Sequence, residues 1–195
     1  MKKTLIIFLG LILFSVQNLK AEEGQFRFGV ELGWSPIELE ADDTAQAIAN
    51  ALGETVTATY DKGVFVGRLF GEYGLASNMA IEAGYFKTSS ADATYAAASG
   101  TASESYDVSG FDIALALKSS EGFFGKVGMH SSTVDGAANV TIGGTSYAAT
   151  GSADGTGLLI GAGYEVDNTR YAITRYNDVG GIDTSVTYLS VGFLF

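Results

Sequence analysis

Apolar residues alternate with small or polar residues over the last nine positions of the chain, 187–195. Successive side chains of a β-strand point to opposite faces, so alternation of this kind separates two environments. One face of this segment carries only apolar side chains: Leu189, Val191, Phe193 and Phe195. The pattern predicts a strand with one apolar face.

Seven upstream segments show the same period of two. The predicted strands are 26–34, 65–73, 79–86, 111–117, 123–130, 157–166, 170–177 and 187–195. The alternation is weakest in 170–177, where Thr174 and Tyr176 oppose Ile173 and Arg175.

Charged residues fall on the small, Gly-rich face of these strands. A soluble β-sandwich would also alternate, but it would turn its charges towards bulk water. Here both signs occur on the face opposite the apolar one, as expected for an interior charge network. Its candidate members are Arg27, Glu31, Arg68, Glu72, Glu82, Lys126, Glu165 and Arg175.

Aromatic residues share the apolar face, several near strand ends, which is typical of the girdles at membrane interfaces. They are Phe26, Phe28, Trp34, Tyr73, Tyr85, Tyr164, Phe193 and Phe195. A general preference of aromatic residues for strands explains their presence but not their common side.

The links between predicted strands alternate in length. Short links lie near 74–78, 118–122 and 167–169, whereas long polar links lie near 36–60, 87–106 and 131–152. This is the pattern of outer-membrane barrels, with short periplasmic turns and long extracellular loops, 178–184 being the fourth loop. The Ala-rich segment 41–53 in the first loop predicts a short helix.

A sheet with a lipid-facing surface must close, because unpaired backbone groups are not tolerated in hydrocarbon. Eight strands suffice for a barrel whose interior is filled by side chains. The sequence therefore predicts an all-β fold, an eight-stranded antiparallel up-and-down transmembrane β-barrel.

The N-terminal residues 1–21 have the features of a cleaved signal peptide. Lys2 and Lys3 precede an apolar run from Leu5 to Val16, and Ala21 stands at the expected cleavage site. The run is too short for a membrane helix, which needs about 20 residues. Residues 22–195 then form one barrel domain.

Composition narrows the classes of function. Residues 22–195 hold eight basic and 22 acidic residues, a formal charge of −14, which argues against nucleic-acid binding. The chain has no Cys, so it forms neither disulfides nor thiolate metal sites.

Several motifs resemble the transmembrane domain of OmpA-like outer-membrane proteins, over about residues 26–195. Residues 30–35 (VELGWS) are similar to the family's first strand, residues 70–73 (FGEY) and 80–85 (AIEAGY) to its second and third, and residues 163–165 (GYE) and 174–176 (TRY) to its sixth and seventh. The terminal Phe195, in phase with Val191 and Phe193, resembles the family's assembly signal.

The resemblance implies a monomer in a bacterial outer membrane, in contact with membrane lipids and lipopolysaccharide. It also implies periplasmic chaperones and the barrel-assembly machinery as partners during biogenesis.

The sequence departs from the family in two respects. The separate peptidoglycan-binding domain of full-length members is not among these 195 residues, so tethering to the cell wall is not carried over. Ala116 replaces a lysine of the best-known member's fourth strand, so its ion-pair gating is not carried over either.

Three functions stay open, in order of preference. The first is a structural barrel, plugged by paired charges, that maintains the membrane and presents loops to a partner that the sequence does not name. The second is a narrow ion channel or a conduit for small hydrophobic solutes.

The third is a lipid-A-modifying enzyme built on His130 and the serines that follow it. Alternation places His130 on the interior face, whereas an enzyme that cleaves acyl chains needs it outside. We therefore expect no enzyme activity and no catalytic residue. The acidic residues Asp42, Asp43, Glu54 and Asp61 lack the spacing of a calcium loop, so we expect neither a metal nor a cofactor.

Overall fold

The computed structural model describes residues 23–37 and 41–195; the predicted signal peptide lies outside them. Within this part of the chain there are ten strands, one helix and one short 3₁₀ turn, Val179–Gly181. The strands are β1 (Phe26–Pro36), β2 (Thr57–Tyr60), β3 (Gly63–Ala76), β4 (Met79–Thr88), β5 (Ala91–Ala97), β6 (Gly100–Lys118), β7 (Phe123–Ile142), β8 (Thr145–Val166), β9 (Thr169–Asn177) and β10 (Ser185–Leu194). The helix is α1 (Ala41–Leu52). Among the described residues, no helix is long and apolar enough to cross a membrane.

Eight of these strands form a closed antiparallel ring in the order β1, β3, β4, β6, β7, β8, β9, β10. The ring closes where β1 pairs with β10, from Gly29 opposite Leu194 to Trp34 opposite Leu189. Phe28 and Phe195 extend this seam by two backbone hydrogen bonds, of 3.1 and 2.7 Å. The eight predicted strands and the barrel fold are thereby confirmed.

The ring separates an apolar outer face from a packed interior. Phe28, Leu32 and Leu69 face outwards and are 63–70% exposed, whereas their neighbour Phe70 turns inwards and is buried. The interior leaves no room for a side chain at Gly29, where a Cβ would lie 2.2 Å from the Phe70 ring. Small residues at such positions let the large inward side chains fill the barrel.

Short turns join the strands at one end of the barrel, at 77–78, 119–122 and 167–168, as the sequence predicted. Both ends of the described chain, Glu23 and Phe195, lie at this end too, because β1 starts there and β10 finishes there. We call it the short-turn end.

The opposite end differs from the prediction of long loops. Strands β6, β7 and β8 continue well past the barrel, so 131–152 forms a hairpin with Ile142 opposite Thr145. Its turn residues Gly143 and Gly144 have φ of 56° and 82°, a conformation that glycine adopts without strain. Segment 87–106 likewise contains β5 and the start of β6. These strands are not visible in the sequence pattern, because Ala, Ser, Thr and Gly give no contrast between an apolar and a polar face.

We call residues 41–60, 91–108, 133–142 and 145–156 the extension. Its sheet runs β2, β5, β6, β7, β8, and α1 packs on the β2–β5–β6 part. Ala41 and Ala45 of the helix are buried against Ala93 and Tyr95 of β5. The predicted helix at 41–53 is confirmed, and Asp42 and Asp43 in its first turn complement the helix dipole.

Candidate functional site

Ten ionisable side chains of the described residues form one connected cluster inside the barrel, which we call the interior network. The cations are Arg27, Arg68, Lys118, Lys126 and Arg170, and the anions are Glu31, Glu72, Glu82, Asp112 and Glu165. Five positive and five negative charges cancel. The cluster is therefore electrically neutral as a whole.

Glu72 on β3 is the centre of the network near the short-turn end. Its carboxylate accepts hydrogen bonds from Arg27, from Lys118 Nζ at 2.7 Å and from Arg170 Nη2 at 2.6 Å. The same three cations also contact Glu165, at 2.6–3.3 Å. Each carboxylate is thus shared by cations from three different strands.

Arg68 on β3 organises the part of the network nearer the extension. Its Nε and Nη2 donate to the two carboxylate oxygens of Asp112 at 2.9 and 2.6 Å, a bidentate pair. Its Nη1 donates to Glu82 at 3.2 Å, and Arg170 Nη1 donates to the other Glu82 oxygen at 2.6 Å. Arg170 therefore links the two halves of the network.

Aromatic rings pack against the buried guanidinium groups. Arg68 lies 4.6 Å from the centre of the Phe70 ring, and Arg170 lies between Phe70 at 5.0 Å and Phe124 at 4.6 Å. Such cation–π contacts favour a desolvated cation. The rings of Phe70 and Phe124 also occupy the space beside the ion pairs.

Glu31 and Lys126 are the loosest members. Glu31 is 3.7 Å from both Arg68 and Arg170, and Lys126 Nζ is 3.7 Å from Glu82. None of these three contacts is a hydrogen bond. Both side chains are nevertheless buried, so they depend on the surrounding charges for their stability.

A layer of apolar and aromatic side chains lies directly on the network, towards the extension. We call it the apolar layer; its buried members are Val66, Phe86, Leu159, Tyr176, Val179 and Tyr188. Tyr176 stacks on Phe86 with ring centres 4.2 Å apart. Its hydroxyl donates to Asp112 at 2.9 Å, which joins the layer to the network.

The connection between β9 and β10, predicted as the loop 178–184, contributes to this layer. Val179 is fully buried, and the backbone N–H of Gly180 donates to Ser132 Oγ at 3.0 Å. The loop therefore folds inwards over the barrel mouth.

Of the eight residues predicted for the interior charge network, seven lie inside the barrel. The eighth, Arg175, is exposed on the outer face, so its predicted interior position is wrong. On β9, Arg170, Thr174 and Tyr176 point inwards, and Arg175 belongs to the opposite phase. Arg175 is instead in phase with Tyr171 and Ile173, which face outwards and are 51% and 48% exposed.

Three network members were missed by sequence reasoning: Arg170, Asp112 and Lys118. All three follow from strict alternation, because they are in phase with Tyr176 on β9 or with Ala114 and Ala116 on β6. The alternation gives the inward direction of each side chain, but it does not show which oppositely charged residue on a distant strand becomes its ion-pair partner.

The predicted assembly residues lie on the lipid side of the barrel seam. Val191 and Phe193 are 42% and 47% exposed on β10, and Phe195 is partly buried. The backbone of Phe195 pairs with Phe28, as described above. Their use as an assembly signal stays a prediction.

His130 faces inwards, as alternation predicted, and is 3% exposed. Its Nε2 donates to the backbone carbonyl of Asn177 at 2.7 Å, and its ring meets those of Phe86 and Tyr176 edge-on. Ser132 is also inward and accepts the Gly180 hydrogen bond. Both side chains are thus engaged in packing.

The acidic residues of the first long connection serve separate contacts. Asp42 accepts from the Tyr60 hydroxyl at 3.4 Å, Glu54 from the Ser99 amide at 3.0 Å, and Asp61 from the Asp92 amide at 3.0 Å. Within residues 23–37 and 41–195, no three His, Cys, Asp or Glu side chains are grouped to hold a metal ion.

The outer face changes character at one level around β6, β7 and β8. Phe111, Ser131 and Thr156 lie opposite one another in the sheet. Towards the short-turn end the outward residues are apolar, as with Met129 opposite Leu158. Towards the extension they are polar, as with Thr133. The apolar band around a closed sheet, with paired charges inside, defines a transmembrane β-barrel.

The chain matches the family model of the outer membrane protein beta-barrel domain over residues 6–195, and it therefore belongs to that family, in agreement with the OmpA-like resemblance. It resides in a bacterial outer membrane. Comparison with curated protein sequences gave no match.

Solved structures of similar fold include Ail, the attachment invasion locus protein of Yersinia pestis, with 12% identity, a TM-score of 0.47, and coverage of 89% of this chain and 99% of that one. The N-terminal barrel of Pseudomonas aeruginosa OprF has 16% identity, a TM-score of 0.38, and coverage of 89% and 100%. OprG of Pseudomonas aeruginosa has 10% identity, a TM-score of 0.44, and coverage of 90% and 98%.

Proposed function

We propose that this protein is a non-conducting structural barrel of the outer membrane that holds the extension outside the cell. The observation that carries the proposal is the interior network, a neutral set of buried charges covered by the apolar layer. An open pore would need a continuous polar path past both.

The network opposes ion passage through its four most tightly paired members. Arg68, Glu72, Glu82 and Arg170 are at most 1% exposed, and each is bound by at least two groups of opposite charge. An ion that entered would have to displace one of these partners and leave a charge unpaired in a low-dielectric interior. Rearrangement to open a path is therefore costly.

The apolar layer opposes passage by a different mechanism. Tyr176 stacks between Phe86 and Tyr188, and Val179 packs on them from the 178–184 connection. The rings of Phe86, Tyr176 and Tyr188 and the side chain of Val179 present mostly apolar surface, which does not replace the water that a hydrated ion would lose. Together the two layers favour a structural role over a channel.

The orientation follows from the two ends of the barrel. Outer-membrane barrels keep their short turns in the periplasm, so we infer that the extension is extracellular. There α1 covers one half of the sheet, and the other half, with Tyr147 64% exposed, is open to a partner. The extension would thus serve as the interaction surface that the long loops were predicted to provide.

Conductance in planar lipid bilayers tests the sealed interior. Wild-type protein should give no stable current, while Glu82→Ala, which removes a carboxylate shared by Arg68, Lys126 and Arg170, should give brief irregular openings. Asp135→Ala, in the extension, is the matched control and should behave as wild type. A large, stable conductance of the wild-type barrel would contradict the proposal and favour the channel.

A further inference from the structure

One face of the extension sheet is covered by α1 on one half only. The helix packs on β5 and reaches Ala102 of β6. On the same face, Ala102 lies opposite Val140 of β7, and Val140 lies opposite Tyr147 of β8, because directly paired residues of antiparallel strands share a face. Tyr147 is 64% exposed, and Ala138 and Ala149 on this face are exposed too. The half of this face on β7 and β8 is therefore open.

The open half forms a groove of about 390 Å³, which we call the extension groove. Its floor is made of small residues on β7 and β8, and the ring of Tyr106 on β6 is one wall. This ring lies over Gly136, where an added Cβ would be 3.1 Å from it. Towards the barrel the groove ends where Gly180 of the 178–184 connection packs against Val134. The residues that define the groove are Tyr106, Val134, Gly136, Ala138, Ala149 and Gly151.

The dimensions of the extension groove match one α-helix. Two strands about 4.8 Å apart give a floor roughly 10 Å wide, which is about the diameter of a helix with its side chains. Small floor residues let a helix backbone approach closely, and Ala93 of β5 already does so under Ala41 and Ala45 of α1. An added Cβ at Gly151 would meet no atom within 4 Å, so the space above the floor is free. A second helix therefore fits beside α1.

The extension carries negative charge without any positive charge. It contains eight acidic residues and no Lys or Arg, and none of the eight is buried: Asp42, Asp43, Glu54, Asp92, Glu104, Asp107, Asp135 and Asp154. One of them, Asp107, is paired at 2.9 Å with Lys87, which lies outside the extension. A surface of one sign attracts a partner of the opposite sign and repels a second copy of itself. The charge therefore favours a cationic partner.

We propose that the extension groove binds a cationic amphipathic helix of a partner outside the cell. The apolar side of this helix lies on the floor next to α1, and its Lys and Arg side chains point towards the acidic surface. Glu104, opposite Ala138 in the sheet, is on the groove side of β6. This inference rests on the proposed function, in which the extension is the extracellular interaction surface.

Fluorescence anisotropy tests the groove with the purified protein in nanodiscs of zwitterionic lipid. The probe is a labelled synthetic helix of about 16 residues, long enough to span the groove, with Leu on one side and Lys on the other. Gly151→Arg places a bulky cation on the free part of the floor and should weaken binding about tenfold. Ala148→Arg is the matched control, with the same added charge on the opposite face of β8. It should stay within about twofold of wild type, because exposed charges are screened.

Two further peptides and one structural measurement define the partner. A scrambled peptide of the same composition, which has no apolar side, should bind about tenfold more weakly, and a peptide with Glu in place of Lys should not bind. Isotope-edited infrared spectroscopy should show that the bound Leu/Lys peptide is helical. The gel mobility shift between boiled and unboiled samples verifies that each variant is folded.

Four results would overturn the proposal. They are equal weakening by Gly151→Arg and Ala148→Arg, equal binding of the scrambled peptide, a bound peptide in strand conformation, which would indicate pairing with the edge of β8, and equal binding to nanodiscs without the protein.

The extracellular position of the extension is tested separately. The chain has no Cys, so Ala148→Cys supplies a single labelling site. A membrane-impermeant maleimide should label it on intact cells, and absence of labelling would contradict the orientation on which the partner's location depends. Peptide binding to the purified protein does not depend on orientation, and conductance depends on neither, so failure of peptide binding leaves the structural role intact.

Discussion

Strands β6, β7 and β8 pass through two regions of the molecule, and their side-chain pattern changes between them. In the barrel the outward residues of β6 are apolar, such as Ile113 and Leu115, and the inward Asp112 is bound by Arg68. In the extension one face of β6 carries Ser103 and Ser105, and the other carries Ala102 and Glu104, which accepts hydrogen bonds from the hydroxyls of Tyr95 and Tyr106. The continuous backbone pairing of β6, β7 and β8 thus runs through both the apolar band of the barrel and the polar surface of the extension.

The comparison shows that the two regions are stabilised differently. The barrel interior is a set of mutually dependent charges, in which removing one leaves several others unpaired. The extension is held by backbone pairing and by α1 packing through Ala41 and Ala45, so its contacts are more local. We therefore expect a substitution in the interior network to lower the stability of the whole barrel, and a substitution in the extension to affect only nearby contacts.

The largest effect is expected from Glu72→Ala. It leaves Arg27, Lys118 and Arg170 each without a principal partner, and should lower the free energy of unfolding by about 3–5 kcal/mol. Glu104→Ala is the counterpart in the extension, where Glu104 accepts from Tyr95 and Tyr106. It should cost about 1–2 kcal/mol and only locally. Urea unfolding in lipid bilayers measures the first, and protease sensitivity of α1 the second; equal global losses would contradict the distinction.

Two arginines of β9, one inside and one outside the barrel, should differ in their effect on stability. Arg170→Met leaves Glu72, Glu82 and Glu165 underpaired and should cost about 3–5 kcal/mol. Arg175→Met removes a charge at the membrane margin and should change the stability by about 1 kcal/mol or less. The same unfolding measurement applies. A large loss in Arg175→Met with little change in Arg170→Met would reverse the assignment of faces on β9.

The smallest effect concerns pH and the extension. Burial and a hydrogen bond to Glu104 raise the pKa of the Tyr95 hydroxyl to about 12. The folded state thus holds this proton more tightly than the unfolded state, so the stabilisation is complete below pH about 10 and is lost as the pH rises towards 12. The difference in phenolate absorbance between wild type and Tyr95→Phe should titrate near pH 12. Titration near pH 10 would mean that Tyr95 is not held under α1.

Long-range pairing limited what could be predicted about the site. Inward positions such as Glu72 and Glu82 followed from alternation within one strand, but the partner Arg170 is 98 and 88 residues away in sequence. The interior prediction for Arg175 was wrong because it rested on the charge of this residue, whereas its phase with Tyr171 and Ile173 places it outside. The hairpin at 131–152 was missed because its small residues show no contrast between faces, and only pairing identifies it as a strand.

By itself, the sequence determined the eight barrel strands, their apolar outer face and the short turns. Lipid on the outer face requires an apolar residue at every second position of a strand, and this alternation can be recognised within a single segment of the sequence. The tertiary structure decided which charges meet, how the 178–184 connection closes the barrel mouth, and that the strands extend beyond the apolar band. These depend on which strands become neighbours when the sheet closes, and only the folded chain brings the paired groups within a few ångströms of one another.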